Sequence, residues 1–201
     1  MSLSSTITVI YSVGGVGGQA SISKTADGGE PRSVSLAAAT QCVANTFVMT
    51  DANTAACDLS GGHGLVTDVY DVYWTDGVRY GVTGTVTSNS VALEGGEGDD
   101  FPATNTSVTL AAQQEITIPI TGNGASVILA HPTVRSHVDF QGSDNTSHWQ
   151  HDIAANEPLF WCSESGIDNP ILGDTVSKVM ASTGSTSGGT IKILVLADST
   201  P

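Results

Sequence analysis

The segment Asp68–Val82, DVYDVYWTDGVRYGV, constrains the fold of this chain more than any other. Two runs rich in Val and Tyr flank Asp76-Gly77, and a two-residue Asp-Gly step is a strong hairpin signal, because both central residues of a type I′ turn need positive φ. The register that follows sets Trp74 opposite Arg79 and Tyr73 opposite Tyr80. A cation–π pair and an aromatic pair would then knit the two strands. The segment predicts a well-built β-module and carries no reactive group of its own.

The rest of the chain has the same grain. Ile7, Val9, Tyr11 and Val13 alternate as a first strand. Ala20–Lys24 and Ser33–Leu36 read as a second hairpin around Asp27-Gly28-Gly29. Strands at Gly84–Thr87 and Ser90–Leu93 turn at Ser88-Asn89, and Val108 and Leu110 close this region. Beyond Ala111–Glu115 come Ile116, Ile118 and Ile120, with Pro119 marking an edge or a strand end. Gly122-Asn123-Gly124 reads as the next turn. Val127–Ala130, Val134–Phe140, Pro158–Cys162, Thr175–Ala181 and Ile191–Leu196 supply further strands. Leu159–Trp161 is continuously apolar, which predicts burial on both faces, and 141–148 and 163–173 read as long loops. Short strands with turn signals every 8–12 residues are the pattern of a small barrel or sandwich.

Composition agrees. Hydrophobic residues make up 39% and charged residues only 13%. Lys, Glu, Arg and Leu are scarce while Gly, Ser and Thr abound, a mix that suits strands and turns better than helices. The fold expected is all-β: a jelly-roll-like β-sandwich with an inserted or preceding small β-barrel. Residues 1–38 are too few to fold alone and are expected to complete the sandwich formed by 113–201, with 39–112 as a small acidic barrel. A plain two-domain split near residue 112 is the alternative.

The net charge is −14, and it is uneven. Residues 1–38 balance to zero, whereas 39–112 carry nine acids against Arg79 alone. Nucleic acid and anionic membranes are repelled by such a surface, so neither is expected as a partner. The acidic middle should face solvent and the neutral N-terminal segment should pack against something. Three cysteines, Cys42, Cys57 and Cys162, cannot all pair within one chain, and no CxxC occurs. Burial as free thiols is the simpler reading, with a Cys42–Cys57 bridge as the sharper one. The N-terminal MSLSSTITVIYSVGG lacks a basic region and a long apolar run, so it does not read as a secretory signal. The sequons at Asn105 and Asn145 then carry little weight.

Each chemical constellation has a plainer reading. Gly15-Val16-Gly17-Gly18-Gln19-Ala20 fits G-x-G-x-x-A, but a dinucleotide site needs a helix N-terminus after the glycines, and Ser-Ile-Ser-Lys-Thr follows instead. His148, His151 and Asp152, with His131 and His137 upstream, sit close in sequence, yet His-x-x-His suits a helix and nothing around it reads as one, so a loop or interface role is expected. The run Glu94–Asp100, EGGEGDD, has the carboxylates for Ca²⁺ without the order of a known calcium loop, and reads as an acidic solvated turn. Ser, His and Asp occur in no nucleophile motif. Trp149, Trp161 and Tyr70 could form a sugar platform, although core packing accounts better for Trp161. No residue is assigned a catalytic, cofactor-binding or metal-binding role, and no cofactor is expected.

Taken together, Gly62-His63-Gly64-Leu65, the 68–82 hairpin and Gly95-Gly96-Glu97-Gly98-Asp99-Asp100-Phe101-Pro102-Ala103 resemble a domain recurring in tailed-bacteriophage virion proteins. The nearest class in character is that of capsid decoration, or cement, proteins. The resemblance covers about Thr46–Leu110 and transfers no functional residue. It implies a non-enzymatic structural protein, made in the host cytoplasm and carried on the capsid exterior. Its partners would be the major capsid protein and further copies of itself, a trimer being the expected oligomer. A tail-associated adhesin recognising a glycan or host surface is the alternative, and a hydrolase with a site on sandwich loops the third reading.

Overall fold

The computed structural model of the chain describes residues 3–13, 16–28, 32–117, 125–142, 144–162 and 176–198. Every regular element among the described residues is a strand. They run β1 (Leu3–Val13), β2 (Val16–Gly28), β3 (Arg32–Leu36), β4 (Thr40–Gln41), β5 (Val48–Asp51), β6 (Thr54–Asp58), β7 (Asp68–Trp74), β8 (Gly77–Val86) and β9 (Ser90–Glu94). Then follow β10 (Glu97–Gly98), β11 (Thr109–Ala112), β12 (Gln114–Thr117), β13 (Ala125–Pro132), β14 (Ser136–Gly142), β15 (Ser147–Ile153), β16 (Leu159–Cys162), β17 (Val176–Thr183) and β18 (Gly189–Asp198).

Antiparallel pairing builds three sheets. One has the order β1-β2-β18-β13-β16, with β3 on another stretch of β18. The second, β4-β11-β7-β8-β9-β6-β5 with β10 against β8, curls into a half-barrel and draws every strand from residues 40–112. The third is β12-β17-β14-β15. The chain is all-β, of the sandwich and barrel class that its turn spacing implies.

Two cores follow from the period-2 alternation of the strands. Leu36, Ile128, Ile191 and Ile193 from the first sheet meet Ile116, Val138, Phe140 and Val179 from the third, forming the sandwich core. Phe47, Tyr70, Val72, Val82, Leu93 and Leu110 fill the half-barrel. A small cluster of Ala39, Tyr73, Val78 and Ala111, with Tyr80 beside it, lies outside both. It marks a seam where the outer face of the half-barrel meets the third sheet. On β7 the four consecutive residues Tyr70–Tyr73 are all buried, because one face looks into the half-barrel and the other into this seam.

Several local readings are corrected. The central hairpin forms, but its turn is Thr75-Asp76, with Trp74 opposite Gly77, Tyr73 opposite Val78 and Val72 opposite Arg79. Neither turn residue takes positive φ. Gly77 is required for a different reason: its Cβ would stand 2.4 Å from Cζ2 of Trp74, whose indole lies over it. The expected hairpin between Ala20–Lys24 and Ser33–Leu36 does not form. Ala20–Lys24 pairs instead with Ser5–Val9 of β1, while Ser33–Leu36 pairs with β18 at Gly189–Lys192; the ten-residue β18 also holds the end of β2, Ala26–Gly28, at Leu196–Asp198. The loop expected over 141–148 is shorter: Gln141 and Gly142 end β14, and 147–148 open strand β15, which pairs along β14 from Ser136 to Gln141. Leu159 and Phe160 are half-buried rather than buried on both faces, because β16 lies at the sheet edge.

Cys42 and Cys57 are not free thiols but joined in a disulfide, with Cα atoms 6.0 Å apart. Pairing of Cys42 with Leu59 brings the two chain segments side by side and places Cys57 within reach. The side chains of Cys162 and Trp161, and the Gly122-Asn123-Gly124 turn, lie outside the described residues, as do Gly14 and Gly15. The segment after Gly15, from Val16, is strand β2, which leaves no helix to meet a pyrophosphate there.

Candidate functional site

The seam is polar at its centre. On β7, Asp71 is 0% exposed, and it sits at a bulge where it faces both Tyr80 and Gly81 of β8. Its Oδ1 accepts from the Gly81 N–H at 3.0 Å and from Gln113 Nε2 at 2.9 Å. Its Oδ2 accepts from Ser182 Oγ of β17 at 2.5 Å. Ser182 Oγ is 2.7 Å from the Tyr73 hydroxyl, and that hydroxyl accepts the backbone N–H of His137 on β14 at 3.0 Å. The donors therefore run in one direction: His137 N–H to Tyr73, Tyr73 O–H to Ser182, Ser182 O–H to Asp71. Burial pushes the Asp71 carboxyl up, partly offset by its three hydrogen bonds, and pushes the Tyr73 phenol well above its usual value.

A serine hydrogen-bonded to a carboxylate has the elements of nucleophilic chemistry, but here each group saturates the next in a closed space. Ser182 is 1% exposed, so no substrate atom reaches Oγ without parting the sheets. Joined across two sheets, the chain of hydrogen bonds acts as a fastener. Arg135, next to β14, adds to it: Nη1 donates to the Trp74 carbonyl at 3.2 Å, Nε and Nη2 bind Asp152 at 2.9 and 2.8 Å, and the guanidinium lies 5.8 Å over the Tyr73 ring.

The acidic glycine run is organised from within. Arg79 is 4% exposed, and its guanidinium donates to the carbonyls of Gly95 (2.6 Å), Gly96 (2.9 Å) and Asp99 (2.8 Å) and to Oδ1 of Asn53 (2.5 Å). It also lies 5.2 Å from the Phe101 ring centre, so its cation–π partner is Phe101 and not the Trp74 read from the sequence. Wrapping carbonyls around a planar fork forces Gly95, Gly96 and Gly98 to φ of 74, 82 and 97°, which only glycine takes without strain. The loop carbonyls that a Ca²⁺ ion would need already face a cation, while Glu97, Asp99 and Asp100 are exposed residues and Asp99 Oδ2 accepts the Val78 N–H at 3.0 Å.

Beside this loop a cleft of about 300 Å³ opens between the half-barrel and the third sheet, lined by Tyr80, Glu97, Gln113, His137, Asp139, Gln141, Ser147 and Gln150 among others. His137 is 1% exposed and stacks on Tyr80 with ring centres 3.7 Å apart. Burial lowers its pKa to about 4, against the pull of Asp139 and Asp152, and pushes Tyr80 up to about 12.

The histidines that stand out in the sequence do not converge. His131 Nε2 lies 3.3 Å from the Asn156 carbonyl, and His151 is exposed beside Trp149 at 5.9 Å. His151 lies opposite Val138 while Asp152 lies opposite His137, so the two fall on opposite faces of β15. The His148 side chain lies outside the described residues. Among the described residues no three His, Cys, Asp or Glu side chains form a metal-binding group. Tyr70 is a core residue whose hydroxyl donates to the Val66 carbonyl, and Trp149 packs on Phe140 at 5.3 Å, so neither offers an open sugar platform.

The residues that matter were hidden in plain alternation. S-H-V-D-F-Q on β14 reads as a strand with Val138 and Phe140 inward and His137 and Asp139 in water. A second sheet covers that outer face, which periodicity does not encode. The one available signal is Asp71, an acid set inside the apolar run V-Y-D-V-Y. No protein-family model, curated protein or solved structure matches this chain.

Proposed function

We propose that this chain is a non-enzymatic structural protein of a virion, which docks on a capsid surface as a homo-oligomer and stabilises it. The β1–β2 hairpin carries the reading. Eleven residue pairs join its two strands, whereas among the described residues its pairing to the rest of the sheet runs through Ala26–Gly28 alone. The register sets Ile7 opposite Ile22, Val9 opposite Ala20 and Val13 opposite Val16, with Thr6 opposite Ser23 and Thr8 opposite Ser21 between them.

Residues 1–38 are neutral on a chain of charge −14. A neutral arm is the part of such a molecule that meets another acidic copy, or a shell, without repulsion. Exposed sheet edges then offer backbone pairing for the arms of neighbours. The closed Asp71–Ser182–Tyr73 fastener supports a structural rather than a hydrolytic role. The test is co-sedimentation with expanded tailed-phage capsids that lack their decoration protein. Full-length protein should sediment with capsids, and removal of residues 1–12 should abolish this. A full-length protein that ignores capsids but binds a glycan array would replace this reading with the adhesin.

A further inference from the structure

We propose that the cleft between the Gly96–Glu97 loop and strands β14–β15 is a binding site for an alkylammonium group. The inference is independent of the virion role. Four observations on the cleft lead to it, and they concern charge balance and the direction of hydrogen bonds.

Asp139 is 6% exposed. It accepts from Gln141 Nε2 and Ser147 Oγ, both at 2.6 Å, and among the described residues it has no ion-pair partner. Its charge is held by neutral dipoles only, although a buried carboxylate ordinarily needs a cation. Second, the amide nitrogens around the cleft are turned to carboxylates: Gln141 to Asp139, Gln113 to Asp71 and Gln150 to Glu97 at 3.5 Å. Each of these amides also keeps a carbonyl oxygen, which accepts.

Third, His137 lines the cleft with both ring nitrogens buried and lacking a hydrogen-bond partner. Its low pKa keeps the ring neutral near pH 7, so one nitrogen is an acceptor. Leaving such atoms unsatisfied costs about 1–3 kcal/mol each. Fourth, no Lys or Arg lines the cleft. An occupant that donates several hydrogen bonds and brings positive charge answers all four. An ammonium has three donors, and its aliphatic stem can lie on Val69 and Tyr80, where ring and cation also attract. A bare metal ion is a poorer fit, since the acceptors are spread along a cleft and no three candidate ligands among the described residues converge.

The test uses the intact protein in low-salt buffer, with two amine probes followed by amide NMR shifts and calorimetry. Nα-acetyl-lysine methylamide stands for a lysine of a partner protein, and cadaverine for a free diamine. Both supply the same ammonium, and the tighter binder identifies the source. Shifts should centre on Tyr80, Glu97, His137, Gln141 and Ser147. The Nε-acetylated lysine probe and methyl glucoside should not bind. Glu97→Gln, at an exposed side chain, should weaken the amine about tenfold or more, and Asp139→Asn should do the same if it folds. Glu94→Gln should leave affinity unchanged. Equal binding of the acetylated probe or the glucoside overturns the proposal. So does an equal loss in Glu94→Gln and Glu97→Gln, or the absence of amine binding at 10-millimolar order.

Discussion

Replacing Arg79 tests the organisation of the acidic glycine loop most directly. The side chain makes four hydrogen bonds, at 2.5–2.9 Å, to acceptors on three separate stretches: Asn53, Gly95–Gly96 and Asp99. Hydrogen bonds to a charged group contribute about 1.5–3 kcal/mol each when removed singly. Simple addition overstates the total, because the loop carbonyls of a collapsed loop can turn to water. Losing one partner of a buried charged network typically costs about 3–5 kcal/mol, and Arg79→Met should fall in that range. Arg79→Lys keeps the charge but not the planar fork, and a single ammonium cannot reach all three stretches. About 2–3 kcal/mol is expected for it, with the Phe101 contact weakened as well.

Urea unfolding followed by tryptophan fluorescence gives the loss of stability. In a chain of this size each kcal/mol also lowers the melting temperature by about 2–4 °C. Hydrogen exchange gives the location: the amides of Gly95, Asp99 and Phe101, bonded to Asn53, Val78 and Ala52, should lose protection before the core of β7 and β8. If Arg79→Lys costs less than about 0.5 kcal/mol and those amides stay protected, the guanidinium is not what orders the loop. Millimolar Ca²⁺ should leave the melting temperature of the unsubstituted protein unchanged, since the inward carbonyls are occupied by Arg79.

Three further outcomes follow from the same structure. Reducing the Cys42–Cys57 bridge, which closes a loop of sequence separation 15, should cost about 2–4 kcal/mol, measured by urea unfolding with and without reductant and in the double Cys→Ser variant. Tyr73→Phe removes the hydroxyl that links His137 N–H to Ser182 Oγ; it should cost about 1–3 kcal/mol and couple strongly to Ser182→Ala in a double-mutant cycle, whereas additive losses would disprove the fastener. Stability should also depend on pH through His137, whose pKa falls from 6.5 unfolded to about 4 folded. The unfolded chain takes up that proton first, so this contribution is full above pH 6.5 and is lost as pH drops towards 4, by about 3 kcal/mol in all. Asp71 has the opposite sign, since burial raises its pKa and its contribution is full below 3.8 and lost as pH rises through the folded value. His137→Phe keeps the stack on Tyr80 and should flatten or reverse the slope of stability between pH 4 and 6.5; an unchanged slope would show that His137 is not its source.

How much of this was legible beforehand depends on whether a residue's role is local. The turn at Ser88-Asn89 and strands such as Ile191–Leu196 follow from alternation and turn chemistry, and they are where the sequence places them. The Trp74 register is not legible in the sequence because Asp76-Gly77 serves two different needs with the same letters. Glycine there makes room for an indole instead of supplying a positive φ. Strand β15 is not legible because His148, Trp149, Gln150 and His151 lack the apolar alternation of a half-buried strand, yet pairing with β14 at the sheet edge suffices to order them.

The seam was out of reach for a deeper reason. Asp71 on β7, Ser182 on β17 and His137 on β14 are separated by up to 111 positions, and each occupies the face its strand ordinarily gives to water. A face becomes interior only when a second sheet covers it, so the burial of those groups is a property of the docking and not of either strand. Polar residues placed there then do what apolar ones cannot. They fix one relative position of the two sheets, because Ser182, Tyr73 and Gln113 meet their partners only in that register, whereas Val and Ala contacts would tolerate sliding. Such specificity has a consequence for the cleft alongside. Tyr80 and His137 come from opposite sides of the seam, so whatever loosens the Asp71 fastener also separates the stacked pair that floors the amine site. Tyr73→Phe should therefore weaken cadaverine binding even though Tyr73 does not line the cleft. If its affinity is unchanged while stability falls, the cleft is held by β14 and β15 alone and the seam is not its support.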